Sequence, residues 1–572
     1  MERMNPVYTL NNECQDCYRC VRRCPVKAIR IREGMAQVIP SRCIACAACV
    51  GSCPSHAKQI RSDVEKVKKL LLQGAQVILS LAPSWRGPFE YSDAKMVSLL
   101  KKLGFCAVSE TALGAQQVSI ASAQMLNAAS KGLFISSACP VIVDYVRLYR
   151  PEFVNNVMPL ASPALTHAKL LKETYGAGVH VVFAGPCVGK KNESDRHPDL
   201  IDAALTFDEL RVWMKDEHVD IDDGEVDPNA GFAPERAYEG ALYPLDGGMN
   251  ETIRRIGVNK NVQLLNVCSL DLFAQALDSL NLNEMKHTLF IEALACVGGC
   301  IAGPCISTRR SSFSIISKVM EEAPFRSAVP QTPDVTVTVN YESQPVRRKN
   351  YSLDEIAGAL KKIGKYEPRD ELNCAGCGYQ TCREMACALL DGDAEPSMCA
   401  SYMRQLAAKK AAAMLKGMPS AMVMVDRDLR ILEVNDAFVK DFVHCEDRLM
   451  RCKEKIIGQP IASVLSWTDL FKSVLKSGQE LYKEHYLYEK KYYEIRIFPI
   501  EQNESVGAII TDITQTQSSR EKVAKKANEV IARNISIVQE IACLLGEHMV
   551  ETESILSSIA DDAGDEKEER KA

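Results

Sequence analysis

The spacing of apolar positions divides the chain into stretches of different character. From about residue 75 to 325, short apolar runs (QVILSL, KGLFIS, VHVVFAG, HTLFIEAL) alternate with longer segments whose apolar residues recur every three or four positions. Short apolar runs bounded by turn residues predict buried strands, and the periodic segments between them predict helices, so this region reads as α/β. Residues 326–350 (Pro330, Pro333, then VTVTVNY) read as a linker with a strand. Between 411 and 515 the period changes to two. LYKEHYLYEKKYYEIRIFPI alternates apolar with polar side chains, as half-buried strands do, and VGAIITDIT supplies a last strand. Beyond it Ile531, Ile535, Val538, Ala542, Leu545, Met549, Thr552, Leu556 and Ile559 recur at alternating spacings of four and three. That is the seam of a coiled coil, or the face of a helix packed on its own domain. The tail DDAGDEKEERKA has no apolar period and predicts disorder.

At roughly 150 residues per domain, 572 residues make about four domains. The 47% hydrophobic and 25% charged content is that of a soluble globular protein. A net charge of −5 leaves no basic field for nucleic acid, and no apolar run approaches the roughly 18 residues of a membrane span. The opening MERMNPVYTL lacks the apolar core of a signal peptide, so a cytoplasmic setting is expected, with neither nucleic acid nor membrane as partner. Cysteine changes the picture. There are 23, clustered at short spacings. In a reducing compartment such clusters predict metal ligation rather than disulfides.

Cys14, Cys17, Cys20 and Cys24 follow C-x2-C-x2-C-x3-C with Pro25 next, and Cys43, Cys46, Cys49 and Cys53 repeat it with Pro54 next. This is the run of bacterial two-cluster ferredoxins, in which the fourth cysteine of each run serves the other cluster. One [4Fe-4S] cluster would take Cys14, Cys17, Cys20 and Cys53, the other Cys43, Cys46, Cys49 and Cys24. Zinc is the alternative, and the tandem runs with their prolines argue against it.

In the α/β region three predicted strands end in cysteine-bearing loops: SSACP with Cys139, GPCVGKKNE with Cys187, and EALACVGGCIAG with Cys296 and Cys300. Ligands of open α/β sheets gather beyond the carboxyl ends of strands, so four thiols can meet around one cluster there. Buried structural cysteines are the alternative. These loops resemble the three signature loops of [FeFe] hydrogenases, over residues 75–325. The resemblance implies an H-cluster: a [4Fe-4S] cubane on Cys139, Cys187, Cys296 and Cys300, with Cys300 also bridging to a diiron subsite carrying CO, cyanide and an azadithiolate. It implies that Lys190 donates to one cyanide, that Ala82, Pro83 and Ser84 contact the other, and that Glu193 orients the second loop. Lys191 reads as a solvated surface lysine.

Catalytic members of that family carry a second cysteine just before the first-loop ligand, to relay protons. Here the position is Ala138, and a methyl group carries no proton. The segment SETALGAQQVSIASAQ resembles one holding relay glutamates, but reads Ala121 and Ser122, and Leu294 replaces a usual methionine. General acid–base steps contribute about 10²–10⁴-fold each, so slow turnover is expected. Cys305 is a candidate substitute relay or a buried structural thiol.

Cys374, Cys377, Cys382 and Cys399 form C-x2-C-x4-C-x16-C, which resembles a small Fe–S domain appended to anaerobic redox proteins and implies a third accessory [4Fe-4S] cluster, with zinc as the alternative. Cys387 reads as core. With sixteen ligands assigned, Cys106, Cys268, Cys305, Cys387, Cys445, Cys452 and Cys543 remain, and none forms a further quartet. Residues 418–515 resemble a PAS domain. His444 and His485 are its histidines and read as surface or core rather than haem ligands, so an empty PAS used for dimerisation and relay is expected.

The expected fold is multidomain α/β and α+β: a two-[4Fe-4S] ferredoxin domain (1–62), an H-cluster domain (75–325), a linker (326–365), a small [4Fe-4S] domain (366–410), a PAS domain (411–515), a coiled-coil or signalling helix (516–560) and a disordered tail (561–572). This order resembles the sensory, PAS-containing group of [FeFe] hydrogenases. It implies H2 sensing with slow, reversible heterolytic cleavage, a ferredoxin-like electron carrier, a kinase or phosphatase as signalling partner, and a homodimer. The rivals are a catalytic ferredoxin-linked hydrogenase and an Fe–S redox sensor without the diiron site.

Overall fold

The computed structural model describes residues 5–219, 227, 229–308, 310–443, 453–514 and 530–539. Cys445, Cys452, Cys543, His444, the seam beyond Val538 and the acidic tail lie outside them. The chain divides into two compact units, Met1–Cys399 and Ala400–Ala572. No helix among the described residues is long and apolar enough to cross a membrane.

The first unit opens with two matching halves. Strand β1 (Val7–Thr9) pairs antiparallel with β4 (Lys58–Ile60), and β2 (Ile29–Arg32) with β3 (Met35–Val38). Each cysteine run coils into a short helix, Arg19–Arg23 or Ala48–Gly51. Asp16 and Tyr18 in the first run, and Ala45 and Ala47 in the second, all take positive φ between 53° and 59°. L-residues rarely adopt that conformation, so its repetition at equivalent positions marks a backbone wound to turn successive thiols inward.

The α/β region contains two parallel sheets. One has the order β6-β5-β8-β9, from β5 (Val77–Leu81), β6 (Ala107–Glu110), β8 (His180–Gly185) and β9 (Ala203–Thr206). The other has the order β10-β11-β7, from β7 (Gly132–Ile135), β10 (Val262–Cys268) and β11 (Thr288–Leu294). Strands β5, β9 and β11 are buried along their whole length, which is why β5 and β11 read as largely apolar runs. The core of the first sheet joins Trp85, Phe105, Phe207 and Trp213 to its strands.

His167, on helix Pro163–Tyr175, lies fully buried under this sheet. Its ring nitrogens meet the Ser80 hydroxyl at 2.8 Å and the Ser109 hydroxyl at 2.9 Å. Burial pulls its pKa down to about 3. The unfolded chain therefore takes up a proton near pH 6.5 that the folded chain refuses, and stability is lost as pH falls through that value. Urea unfolding between pH 7 and 5 should show His167→Gln losing up to about 1.4 kcal/mol less per pH unit than the parent chain. Parallel slopes for the two proteins would contradict this.

Part of the stretch expected to be a linker is packed structure. Residues 335–341 run beside 157–161, with Ala161 N–H donating to Val337 O at 2.8 Å and Val339 N–H to Pro159 O at 3.2 Å. Helix Leu353–Lys362 follows, started by a capping box between Ser352 and Glu355. It packs against helix Cys382–Asp391 of the third cysteine cluster, burying Ala359, Leu360 and Ile363.

The second unit begins with helix Ala400–Gly417 and a five-stranded antiparallel sheet. Its order is β13-β12-β16-β15-β14, from β12 (Ala421–Asp426), β13 (Ile431–Val434), β14 (Leu481–Tyr488), β15 (Lys491–Glu501) and β16 (Ser505–Asp512). Phe438, Phe442, Trp467 and Phe471 pack on one face of it. His485 is exposed at a register shift in β14, away from that core. Residues 530–539 are helical. Ile531, Asn534 and Ile535 line a small cavity with Glu494, Arg496, Ile509 and Thr511, and Ile537 packs with Leu415, Met418, Met422 and Met424. Two residues of the expected coiled-coil seam thus face their own domain's sheet.

Candidate functional site

The three signature loops leave the carboxyl ends of β7, β8 and β11, which belong to two different sheets. Cys139 sits between β7 and helix Pro140–Tyr149. Cys187 sits between β8 and helix Gly189–Arg196, and Cys296 and Cys300 follow β11. The four thiols act on one another. Burial first, then Cys139 and Cys187, hold Cys300 well above the ordinary thiol range, and burial with Cys139 pushes Cys187 up to about 11. Cys296 is raised by burial and by Cys187, Cys300 and Cys139. Among the described residues no three Cys, His, Asp or Glu side chains close to single-ion spacing. A cubane sets its thiolates wider than one ion does.

The surroundings fit a bulky inorganic group. A Cβ on Gly189 would stand 3.4 Å from the Cys187 sulfur and 2.9 Å from Val141. Gly299 takes φ +84, and a Cβ there would fall 2.5 Å from Pro244 O. Ser84, in the turn after β5, is 1% exposed, and its hydroxyl has no protein partner. A buried orphan donor needs an acceptor, which is what a cyanide at that place would be. Pro83 and Ala82 are buried beside it.

The Lys190 ammonium is pinned by two bonds of 2.7 Å, to the Ser162 hydroxyl and to Glu193 Oε2, and Ser162 itself donates to Glu193 at 2.8 Å. Glu193 thus holds the second-loop lysine in place. Lys191 is not a surface lysine. It is fully buried, donating to Ala204 O at 2.7 Å and pairing with Glu209 at 2.8 Å and Asp63 at 3.3 Å. Asp63 also pairs with Arg61, which reaches Asp195 at 2.7 Å, so this network ties the end of the ferredoxin-like part to the second-loop helix.

Ala138 packs against an apolar cluster, and Leu294, Ala121 and Ser122 are buried, the Ser122 hydroxyl without a protein partner. Cys305 is buried at the edge of a cavity of about 440 Å³ lined also by Asp208, Glu209 and Trp213. The groups that raise its thiol, after burial, are Cys187, Asp208 and Glu209, which places it near Cys187. A residue the sequence reading missed is Glu292, in the middle of β11. It accepts N–H bonds from Asn250 at 2.8 Å and Met249 at 3.2 Å, and burial raises it to about 7. It is near enough to bear on Cys300. Its signal was one acidic residue inside an otherwise apolar strand, TLFIEAL.

The accessory thiols assemble in the crossed pattern. Cys20 is raised to about 11, by burial and then by Cys17, Cys14 and Cys53. Cys43 and Cys46 are raised to about 11 and about 12, each by burial with Cys24 among the neighbours, and Cys49 is raised by burial and by Cys43, Cys46 and Cys24. Cys46 also bears on Cys296, so this second set adjoins the signature loops. In the third cluster Cys374 and Cys399 act on Cys377. Cys382 opens its helix with its N–H on Asn373, and Cys387 is half-buried outside the group. The small domain is clamped to the ferredoxin-like part by Arg22 to Gly376 O at 3.2 Å, by Glu33 N–H to Glu395 at 2.6 Å and by an Arg42–Asp393 ion pair.

The iron only hydrogenase large subunit, C-terminal domain, matches residues 75–304, a 4Fe-4S dicluster domain matches 6–67, and a putative Fe-S cluster family matches 370–401. The periplasmic [Fe] hydrogenase large subunit of Nitratidesulfovibrio vulgaris is 30% identical over 360 residues, 51% of this chain and 84% of that protein. The chain belongs to the iron-only hydrogenase large-subunit family. Iron hydrogenase 1 of Clostridium pasteurianum is 28% identical over 305 residues, 42% of this chain and 52% of that protein, so the match spans about half of that relative. Among solved structures, an [FeFe]-hydrogenase variant from Chlamydomonas reinhardtii aligns with 49% of this chain and 99% of its own, at 16% identity and a TM-score of 0.38. The PAS domain of nitrogen regulation protein NR(II) from Vibrio parahaemolyticus aligns with 18% of this chain and 96% of its own, at 19% identity and a TM-score of 0.15.

Proposed function

We propose that this member of the family is an H2-sensing hydrogenase of low turnover, acting in the cytoplasm and reporting through its PAS domain. The observation that carries the reading is the meeting of Cys139, Cys187, Cys296 and Cys300 beside a pinned Lys190 and an orphaned Ser84 hydroxyl. When bound there, the H-cluster supplies heterolytic cleavage of H2 into protons and electrons. The chain's own part is positional. Lys190 and Ser84 would present donors to the anionic ligands of a diiron subsite held at Cys300. Glu193 and Ser162 fix the lysine's direction, so its charge costs no reorganisation when the site works. Cys296 adjoins the Cys46 set, so clusters held by the Cys46, Cys20 and Cys377 sets would supply the electron carriers next to the site.

The proton route supports the sensory part. Ala138 cannot relay, Ala121 and Ser122 carry no carboxylate, and Cys305 stands at the cubane side. Among the described residues, Glu292 is the carboxyl group that bears on Cys300, and burial raises it to about 7. Downstream, helix Ala400–Gly417 begins one residue after the cluster ligand Cys399 and leads into the PAS sheet. A kinase or phosphatase partner, a ferredoxin-like electron carrier and a homodimer through the PAS domain or C-terminal helix complete the proposal.

The test is H2 uptake and evolution by chain matured with the diiron cofactor. Turnover should be slow, and Ala138→Cys should raise it about tenfold, below the full 10²–10⁴ of a relay step because the carboxylates behind the thiol are missing. Fast turnover by the parent chain, unaffected by Ala138→Cys, would favour the catalytic ferredoxin-linked reading.

A further inference from the structure

The two halves of the ferredoxin-like part repeat at an interval of 29 residues. Asp16 matches Ala45, Tyr18 matches Ala47, and Lys27 matches His56, each with φ between 52° and 59°. In this register Ile29, at the start of β2, matches Lys58, at the start of β4. Both are core positions, Ile29 1% and Lys58 2% exposed. One half therefore places an ammonium where the other places a hydrocarbon.

The Lys58 Nζ donates to the Thr9 hydroxyl at 2.5 Å and to Ala36 O at 2.8 Å. Both acceptors are neutral, and no carboxylate stands within ion-pair distance of it among the described residues. A buried cation without a counter-charge is costly, so a fold that keeps one has a use or a compensating charge for it. Cys20 and Cys49 are buried in the same small domain, on the two short cysteine helices, which contact one another. Lys58 eases the ionisation of Cys20 and of Cys49, which belong to the two different cysteine sets. The ammonium is thus held in the core of the domain that carries both sets.

We propose that Lys58 is a positioning residue for electrons, raising the reduction potential of both ferredoxin clusters so that they retain what the active site releases. The proposal rests on the reading of residues 1–62 as a two-[4Fe-4S] domain. A [4Fe-4S] cluster with four thiolates is anionic, and it gains one further negative charge when it accepts one electron, with no bond made or broken. A fixed positive charge in a low-dielectric core stabilises the reduced form more than the oxidised one. Lys27 serves as a comparison. Its charge lies near Cys24 but is only half-buried, with its Nζ on Val21 O and Arg22 O, so solvent screens it.

The experiment is an anaerobic redox titration, followed by electron paramagnetic resonance, of the full chain carrying its cubanes. Lys58→Met and Lys58→Gln should keep their iron. At a fixed potential, two of the clusters should show a reduced-to-oxidised ratio lower by about tenfold, a midpoint lower by about 59 mV for a one-electron couple. Lys58→Arg should restore the parent midpoints, and Lys27→Met should shift them less. Gln keeps a hydrogen-bond donor in the core, so it decides the matter if Met fails to assemble. Unmoved midpoints in a fully iron-loaded Lys58→Gln chain, or an equal shift of every cluster, would overturn the proposal. A parent chain without reducible ferredoxin-type clusters would instead overturn the reading of residues 1–62, and the proposal with it.

Discussion

Lys191→Met should destabilise the first unit by about 3–5 kcal/mol, the range for breaking a buried ion pair by removing one partner. The side chain is fully buried, and its ammonium is shared between Glu209 and Asp63. Removing it leaves two carboxylates facing each other with less than their share of positive charge, since Arg61 reaches Asp63 but not Glu209 in the ion pairs seen. Asp63 N–H also rests on Glu209 at 2.9 Å, so the damage extends to the chain entering helix Val64–Leu72. Urea unfolding of the parent and variant, read at the midpoint with the slope checked, measures the loss. A change under about 1 kcal/mol, the range of exposed ion pairs, would mean that the lysine is solvated after all. The same variant should leave the order of the accessory cysteine sets untouched, because their loops are held by backbone and by Arg42, Arg22 and Lys58.

Cys300→Ala should abolish turnover of H2, whereas Cys106→Ala should not. Cys300 is the thiol at which the four-cysteine site and the diiron subsite would meet, on the backbone that Gly299 brings against Pro244. Cys106 is exposed, with its sulfur on Val77 O, at the far side of the first sheet from the signature loops. No neighbouring side chain can replace the lost anchor, because Cys305 is turned toward Cys187 and the acidic cavity. The measurement is anaerobic H2 uptake by both variants after identical maturation, with iron content determined on the same samples. Residual turnover in Cys300→Ala at more than about a hundredth of the parent rate would be within what a single acid–base group supplies, and would contradict an anchoring role.

Much of this was legible along the chain, for identifiable reasons. Strands β5 and β11 announce themselves as apolar runs because they are buried along their whole length. The doubling of the cysteine run is plain in the spacing, and the left-handed residues at Asp16, Tyr18, Ala45 and Ala47 repeat at equivalent positions in both halves. Placement relative to distant residues was not legible. Nothing local distinguishes β7 and β11 from β5 and β8, yet they form separate sheets, and the candidate site lies where the two meet. Lys191 follows Lys190 and looks like a second solvated lysine, because Asp63 is 128 residues away and Glu209 lies beyond the next strand. Lys58 stands where its repeat partner is isoleucine, and its burial follows from that repeat, which the cysteine spacing had drawn attention away from. Helix Leu353–Lys362 carried its own signal in the Ser352–Glu355 capping box, overshadowed by the prolines before it.

The proposed function requires a diiron group at Cys300, beside the four-thiol site, that responds to H2. Infrared spectra of the chain matured with the diiron cofactor, recorded under argon and then under H2, test it most directly. The account predicts bands in the CO and cyanide region whose positions or intensities change when H2 is admitted. Bands indifferent to H2 would contradict the sensing role, and a sample shown to have received the cofactor yet without bands would leave an iron–sulfur redox protein in place of a hydrogenase.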